Sequence, residues 1–271
     1  MKVVLFCGGK GTRWARSEDD VPKALAPIGD RPIIWHVMNV YSQSGFDDFV
    51  LCLGHQAEKI VRYFVEAGAR EDRDAGELIV TAGPRTRWRV RLVDTGRETQ
   101  TGGRLRAVAG YLGTERFMAS YGDGLARLDV ADVVRFHQAH GRLATLTAVR
   151  PASQFGILQL GADGRVQSFV EKPRLKEWVN GGFFVLEPQV LEILDEGPLE
   201  NGPLARLALA DQLVAYRTED FWACLDTYKD LATLEQLWQK GDAPWCMRGK
   251  PATATTVGGA EVSSSPAPMG S

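Results

Sequence analysis

Three groups of residues in this chain have types and spacings that could handle phosphate. The first is "FCGGKGTRWARSEDDVPKAL", where Gly8, Gly9 and Gly11 precede Thr12 and Arg13 and a polar loop ends in Pro22-Lys23. Glycine has no Cβ, so its amide N–H can approach an anion closely. Arg13 and Lys23 add charge-assisted hydrogen bonds suited to phosphate oxygens. The same residues would also make an ordinary glycine-rich turn with two solvated cations. The second group is a pair of carboxylates, Asp123 in "YGDG" and Asp226 in "CLDT", each closing an apolar run. Mg2+ bound with substrate phosphates typically takes one or two protein carboxylates, although an aspartate at a strand exit is also common turn chemistry. Asp230, one helical turn beyond Asp226, reads as a helix-surface residue. The third group is Glu171-Lys172 and Asn180-Gly181-Gly182. Taken alone, these read as a solvated ion pair and a plain turn.

Two familiar phosphate loops are excluded. In a G-x-x-x-x-G-K-[ST] loop the lysine is followed by Ser or Thr, whereas Lys10 is followed by Gly11. The G-x-G-x-x-G fingerprint fails because Gly9-x-Gly11 is followed by Trp14. No Ser-His or Cys-His arrangement supports a covalent nucleophile. The four cysteines, Cys7, Cys52, Cys224 and Cys246, show neither C-x-x-C nor zinc-finger spacing. Cys7 and Cys52 lie in apolar runs and read as reduced core residues. Of the histidines, only His137 and His140 fall close together, and they read as exposed helix residues rather than a metal site.

The elements that must position these groups follow from periodicity. "KVVLF" and "DFVLCLG" are continuous apolar runs ended by glycine, as expected of strands buried on both faces. Between them, Ile33, Ile34, Val37, Met38 and Tyr41 recur at helical spacing before a Gly45 stop. A helix over Ala57 to Glu66 follows, then alternating strands and helices to about residue 150, a pattern that predicts βαβ units. Beyond it, "FGILQLGADGRVQSFVEKP" reads as a hairpin turning at Asp163-Gly164. A strand "GGFFVL", a helix to about Asp195, another near 203–210, two strands and a closing helix complete the pattern. The segment 246–271 collapses into Pro, Ala, Thr, Ser and Gly and is expected to be a disordered tail.

Bulk properties narrow the class. With 271 residues, 44% of them hydrophobic, the chain can build a sizeable core. A net charge of −2 gives no general pull toward nucleic acid or membrane, so any anion site is local. No apolar run approaches the roughly 20 residues that span a bilayer, and no signal peptide is evident, so a cytoplasmic location is expected.

Gly8-Gly9-Lys10-Gly11-Thr12-Arg13 followed by Pro22-Lys23 resembles the G-G-x-G-T-R…P-K signature of sugar-phosphate nucleotidylyltransferases. Downstream, "LVDTGRETQTGGRL", "YGDGLA", "FVEKP", "VNGGFFVL" and "FWACLDTYKD" occur in the order of the glucose-1-phosphate cytidylyltransferase branch, to about Trp238. Lys10 and Trp14 depart from that signature. The resemblance implies an α/β fold: a single Rossmann-like domain over 1–245, with a mixed, parallel-dominated central sheet flanked by helices. Residues 1–150 would be mainly nucleotide-binding and 151–245 mainly sugar-binding. It implies transfer of a cytidylyl group from CTP to glucose 1-phosphate with Mg2+ as cofactor, and a homo-oligomer, with subunits meeting in the 70–90 segment.

Carried over residue by residue, the resemblance gives Gly8, Gly9, Gly11, Thr12, Arg13, Lys23, Thr101, Gly102, Arg104 and Asp123 to the nucleotide. It gives Glu171, Lys172, Asn180, Gly181 and Gly182 to the sugar phosphate, and Asp123 with Asp226 to the metal. Arg13, Lys23 and Lys172 would serve catalysis by alignment and charge neutralisation. Arg104 would read the base: a guanidinium only donates, which suits the O2 and N3 acceptors of cytosine and disfavours the N3–H of uracil or thymine. Gln100 lies near enough to compete for that role. Three alternatives stay open: the same chemistry with dTTP, UTP or another sugar, a non-catalytic sugar-nucleotide binder, and a glycosyltransferase. The last lacks a D-x-D pair at "GDG".

Overall fold

A computed structural model describes residues 1–9, 11, 21–72, 77–81 and 87–246. β1 (Val3–Phe6) is followed by a 3₁₀ turn (Lys23–Leu25), a small ribbon of β2 (Pro27–Ile28) and β3 (Arg31–Pro32), and α1 (Ile33–Ser42). Then come β4 (Asp48–Leu53), α2 (Ala57–Glu66), β5 (Arg70–Asp72), β6 (Glu77–Thr81) and β7 (Arg87–Asp94). Helices α3 (Thr101–Ala107) and α4 (Ala109–Leu112) precede β8 (Phe117–Tyr121), β9 (Gly124–Ala126), α5 (Val130–His140) and β10 (Ala144–Val149). The remainder holds β11 (Ile157–Leu160), β12 (Val166–Val170), β13 (Val179–Asn180), β14 (Phe184–Leu186) and α6 (Pro203–Leu209). β15 (Leu213–Arg217), β16 (Trp222–Cys224) and α7 (Tyr228–Gln239) close it.

The main sheet runs β13-β10-β14-β8-β1-β4-β7-β6-β5, with β15 also paired to β10. Its centre is parallel: β1 pairs in parallel with β4 and β8, and β4 with β7. Both wings are mixed, since β14 runs antiparallel between β8 and β10, and β6 runs antiparallel to β5 and β7. Residues 184–186 therefore lie inside the same sheet as β1. Side chains alternate across that sheet. Val3 and Leu5 pack with Ile33, Val37 and Val133 in one layer, whereas Val4 and Phe6 pack with Leu105, Val190 and Leu204 in the other. This is why β1 reads as an unbroken apolar run: both of its faces are interior.

Several local expectations change. The predicted helix to Asp195 is a 3₁₀ stretch, Pro188–Ile193. The helical segment between β7 and β8, one of those expected from the alternation to residue 150, breaks at Val108 into α3 and α4. His137 is buried, not exposed: its Nε2–H donates to Glu187 at 3.1 Å, and its Nδ1 accepts from the Thr145 hydroxyl at 2.9 Å. His140 donates to the same hydroxyl at 2.7 Å. Among the described residues no helix is long and apolar enough to cross a membrane.

Candidate active site

The exits of β1, β4, β7 and β8 converge, the usual place for ligands in open α/β sheets. Gly8 follows β1, Gly54 follows β4, Thr95 follows β7, and Gly122-Asp123 follow β8. Register brings the second carboxylate to meet the first. β16 pairs antiparallel with β9, setting Cys224 opposite Gly124, and the Leu225 amide donates to the Asp123 carbonyl at 2.9 Å. Asp226 is thereby carried beside Asp123.

Between the two carboxylates sits Lys23, at the start of the 3₁₀ turn. Its ammonium is 2.6 Å from Asp123 Oδ2 and 2.7 Å from Asp226 Oδ1. Burial alone would lower the lysine pKa, but the Asp123 charge and the hydrogen bonds to both aspartates outweigh it and hold the group above its ordinary value. A cation is thus already stabilised at this point. Ligand atoms of Asp123, Cys224 and Asp226 all lie within 4.8 Å of one another, a spacing that admits a divalent ion. Sulfur is a soft donor, so the two carboxylates are the partners suited to Mg2+. Burial pushes the Cys224 thiol above its ordinary pKa, and the Asp123 charge adds to the effect.

Asp230 is not a bystander. As the third residue of a capping box at the start of α7, it accepts from the Thr227 amide at 2.8 Å and the Asp226 amide at 3.1 Å. The helix cap therefore fixes the backbone that presents Asp226.

Arg104 is buried at 3% exposure. Its Nη1 donates to the Leu53 carbonyl and the Thr95 hydroxyl, both at 2.7 Å, and its Nη2 donates to the Gly8 carbonyl at 2.8 Å. One guanidinium thus binds three strand exits together. Gly8 has to be glycine, because a Cβ there would lie 2.1 Å from Arg104 Nη1. The structure brings Gly8 and Arg104 into direct contact. Gly11 takes a left-handed backbone, φ 55°. Lys10, Thr12, Arg13 and Trp14 lie outside the described residues.

On the expected sugar side, Gly182 (φ 77°) would push a Cβ to 3.0 Å from Ser120 Oγ, and Gly181 would push one to 2.9 Å from Val149. The neighbours that demand these glycines are thus β8 and β10. Trp222 Nε1 donates to the Gly181 carbonyl at 2.9 Å, tying this wall to β16 and hence to Asp226. Glu171 and Lys172 pair with each other at 3.4 Å on the exposed end of β12, with Lys172 in a left-handed conformation, φ 48°.

Thr101 and Gly102 are engaged by the loop before α6. The Gly102 amide donates to the Gly197 carbonyl at 3.0 Å, and the Leu199 amide donates to Thr101 Oγ1 at 2.8 Å. Sequence reasoning missed Glu200, Tyr121, Thr95 and Trp222. Tyr121 immediately precedes "GDG", and a polar residue closing an apolar strand was a usable signal. Glu200 carries none, since it sits in a turn 99 residues from its partner Thr101.

A nucleotidyl transferase family model matches residues 2–242. The chain is 42% identical over 254 residues to the glucose-1-phosphate cytidylyltransferase of Salmonella typhimurium (strain LT2), covering 90% of this chain and 98% of the relative. It is 39% identical over 253 residues to the probable glucose-1-phosphate cytidylyltransferase of Bacillus subtilis (strain 168), covering 90% and 99%. The crystal structure of HddC from Yersinia pseudotuberculosis shares the fold, with a TM-score of 0.64 at 19% identity over 88% of this chain and 99% of that one. By family model and by similarity along nearly its whole described length, the chain belongs to the nucleotidyl transferase family, within the glucose-1-phosphate cytidylyltransferase group.

Proposed function

We propose that this protein transfers a cytidylyl group from CTP to α-D-glucose 1-phosphate, releasing pyrophosphate and forming CDP-glucose. The observation that carries the reading is the 42% identity to a glucose-1-phosphate cytidylyltransferase across 98% of that relative. The Lys23–Asp123–Asp226 cluster supports the chemistry. Attack of a sugar-phosphate oxygen on the α-phosphorus joins two polyanions, so catalysis is alignment and charge neutralisation. Asp123 and Asp226 are the residues that would hold Mg2+, and Mg2+ supplies charge neutralisation between the phosphates when bound. Lys23 can contribute its positive charge to a phosphate oxygen once the aspartates have another partner. Lys172 and Arg13 are assigned to the sugar phosphate and the triphosphate. Glu171, Asn180, Gly181 and Gly182 are assigned to the sugar, and Gly8, Gly9, Gly11 and Thr12 to the nucleotide.

Arg104 carries the base preference in this reading: with both Nη1 hydrogens and one Nη2 hydrogen given to Leu53, Thr95 and Gly8, the Nε–H and the second Nη2–H are the donors that would meet cytosine O2 and N3. Support comes from its seat against Gly8 and below Gly54, at the strand exits. We also read the chain as a cytoplasmic homo-oligomer, which light scattering on the purified protein tests. The test of function is pyrophosphate release from a matrix of CTP, UTP, dTTP, ATP and GTP against several sugar 1-phosphates, with Mg2+ omitted and restored. CTP with glucose 1-phosphate and Mg2+ should be the fastest combination. Equal or faster turnover with dTTP or UTP would overturn the cytidylyl assignment, and no turnover with any pair would make the protein a binder.

A further inference from the structure

We propose that Glu200 is a positioning residue that locks the nucleotide half of the site to the sugar half through one bidentate carboxylate. Its Oε2 accepts from the hydroxyl of Thr101, the first residue of α3, at 2.9 Å. Its Oε1 accepts from the hydroxyl of Tyr121, the last residue of β8, at 2.5 Å. Hydrogen bonds of this kind to a carboxylate are about twice as strong as neutral ones. The inference rests on the reading above, in which "TGGRL" serves the nucleotide and "NGG" serves the sugar.

The geometry leaves little freedom on either side. A hydroxyl has one proton. Thr101 gives its proton to Glu200 and accepts from the Leu199 amide at 2.8 Å, so its rotor is fixed from both directions. Tyr121 also gives its proton to Glu200, and its oxygen then accepts from Asn180 Nδ2 at 2.9 Å. The other end of that carboxamide is held as well, because the Gly182 amide donates to Asn180 Oδ1 at 2.9 Å. The orientation of Asn180, on the expected sugar wall, is therefore set by a carboxylate that also holds the first turn of α3.

A residue at the midpoint of this chain of contacts should affect both substrates, and a residue on one arm only one. Wild-type turnover is measured first, which fixes the best nucleotide and sugar phosphate. A failure of the proposed function appears there, as a different best pair, and the coupling test then runs on that pair. Glu200→Ala should raise the KM of both substrates, each by about tenfold. Thr101→Val should raise only the nucleotide KM, and Tyr121→Phe only the sugar-phosphate KM. Glu200→Gln, which keeps the length and one acceptor oxygen, should recover part of both losses. Thermal melts accompany each variant. Both KM values within twofold of wild type in Glu200→Ala would overturn the proposal. So would equal losses in Glu200→Ala and Glu200→Gln that track melting temperature alone. If Glu200→Ala does not fold, the one-sided pattern of Thr101→Val and Tyr121→Phe decides, and its absence overturns the proposal.

Discussion

The strands at the sheet centre and the β11–β12 hairpin are both rich in Val, Leu, Ile and Phe, yet they live in opposite environments. Every residue of β1 is buried, and Phe49, Val50, Leu51 and Cys52 of β4 are inaccessible. In the hairpin, Leu160 is 58% exposed, Phe169 63% and the adjoining Phe155 75%. The centre is held by parallel neighbours on both edges and helices on both faces. Among the described residues the hairpin pairs only with itself, through an antiparallel ladder with a register shift at Gln159/Leu160. An isolated two-stranded ribbon is marginal in water, and contiguous exposed apolar surface of this kind marks interaction sites. Composition therefore does not say where a strand sits; the number of neighbours available to it does. Asp123 follows β8 of the well-supported region, and Asp226, carried by the short β9–β16 ribbon, is tied to it through the Leu225–Asp123 hydrogen bond and the shared contact with Lys23. Glu171 and Lys172 hang at the end of the hairpin.

Four measurements probe that contrast. The largest effect should come from Asp123→Ala, which removes a carboxylate from the rigid centre. Turnover should fall about 10²–10³-fold while the far-ultraviolet circular dichroism spectrum is retained, and undiminished pyrophosphate release would refute the metal role. Next is Gly8→Ala. The new methyl would displace Arg104 from three buried acceptors, so urea unfolding should show a loss of about 2–3 kcal/mol.

A third, smaller effect concerns pH. Burial holds the His137 imidazole below its ordinary pKa of 6.5, against the upward pull of Glu187, and His140 is shifted the same way by burial and by His137. An unfolded histidine takes up a proton below about pH 6.5 when the folded one still resists, so the unfolded state binds more protons. Stability should thus be full above that value and decline as the pH falls toward the folded pKa. Melting temperature between pH 7.5 and 5 checks this, and His137→Gln should flatten the slope. The smallest effect is expected in the hairpin itself. Phe169→Ser should change the monomer's unfolding free energy by less than about 0.5 kcal/mol, and a loss comparable to that of Gly8→Ala would erase the contrast.

What could be read from sequence follows from the same physics. The alternation of strand and helix to residue 150 was legible because period and glycine stops are local signals, as were the Asp163-Gly164 turn and α7. Asp123, Asp226 and Lys23, singled out by short motifs, do come together, whereas Lys10 and residues 12–20 of the glycine-rich loop lie outside the described residues. The 3₁₀ stretch at Pro188–Ile193 was not, since short helical forms share apolar spacing with α-helix. Nor was the burial of His137, which depends on Glu187 arriving from another strand. Arg104 was found by motif, yet its seat beneath three strand exits belongs to the tertiary structure alone. Asp230 looked like surface because a capping box is recognised only once the start of the helix is fixed.

Lys23 and Asp226, which touch across the site, stand 203 residues apart in the chain. At a translation rate of about 5–20 residues per second, the ribosome needs about 10–40 s to make the second after the first. Until then the early half can assemble strands and helices but has no complete cation seat. A chain that ends before Asp226 would lack one of the two carboxylates that face Lys23.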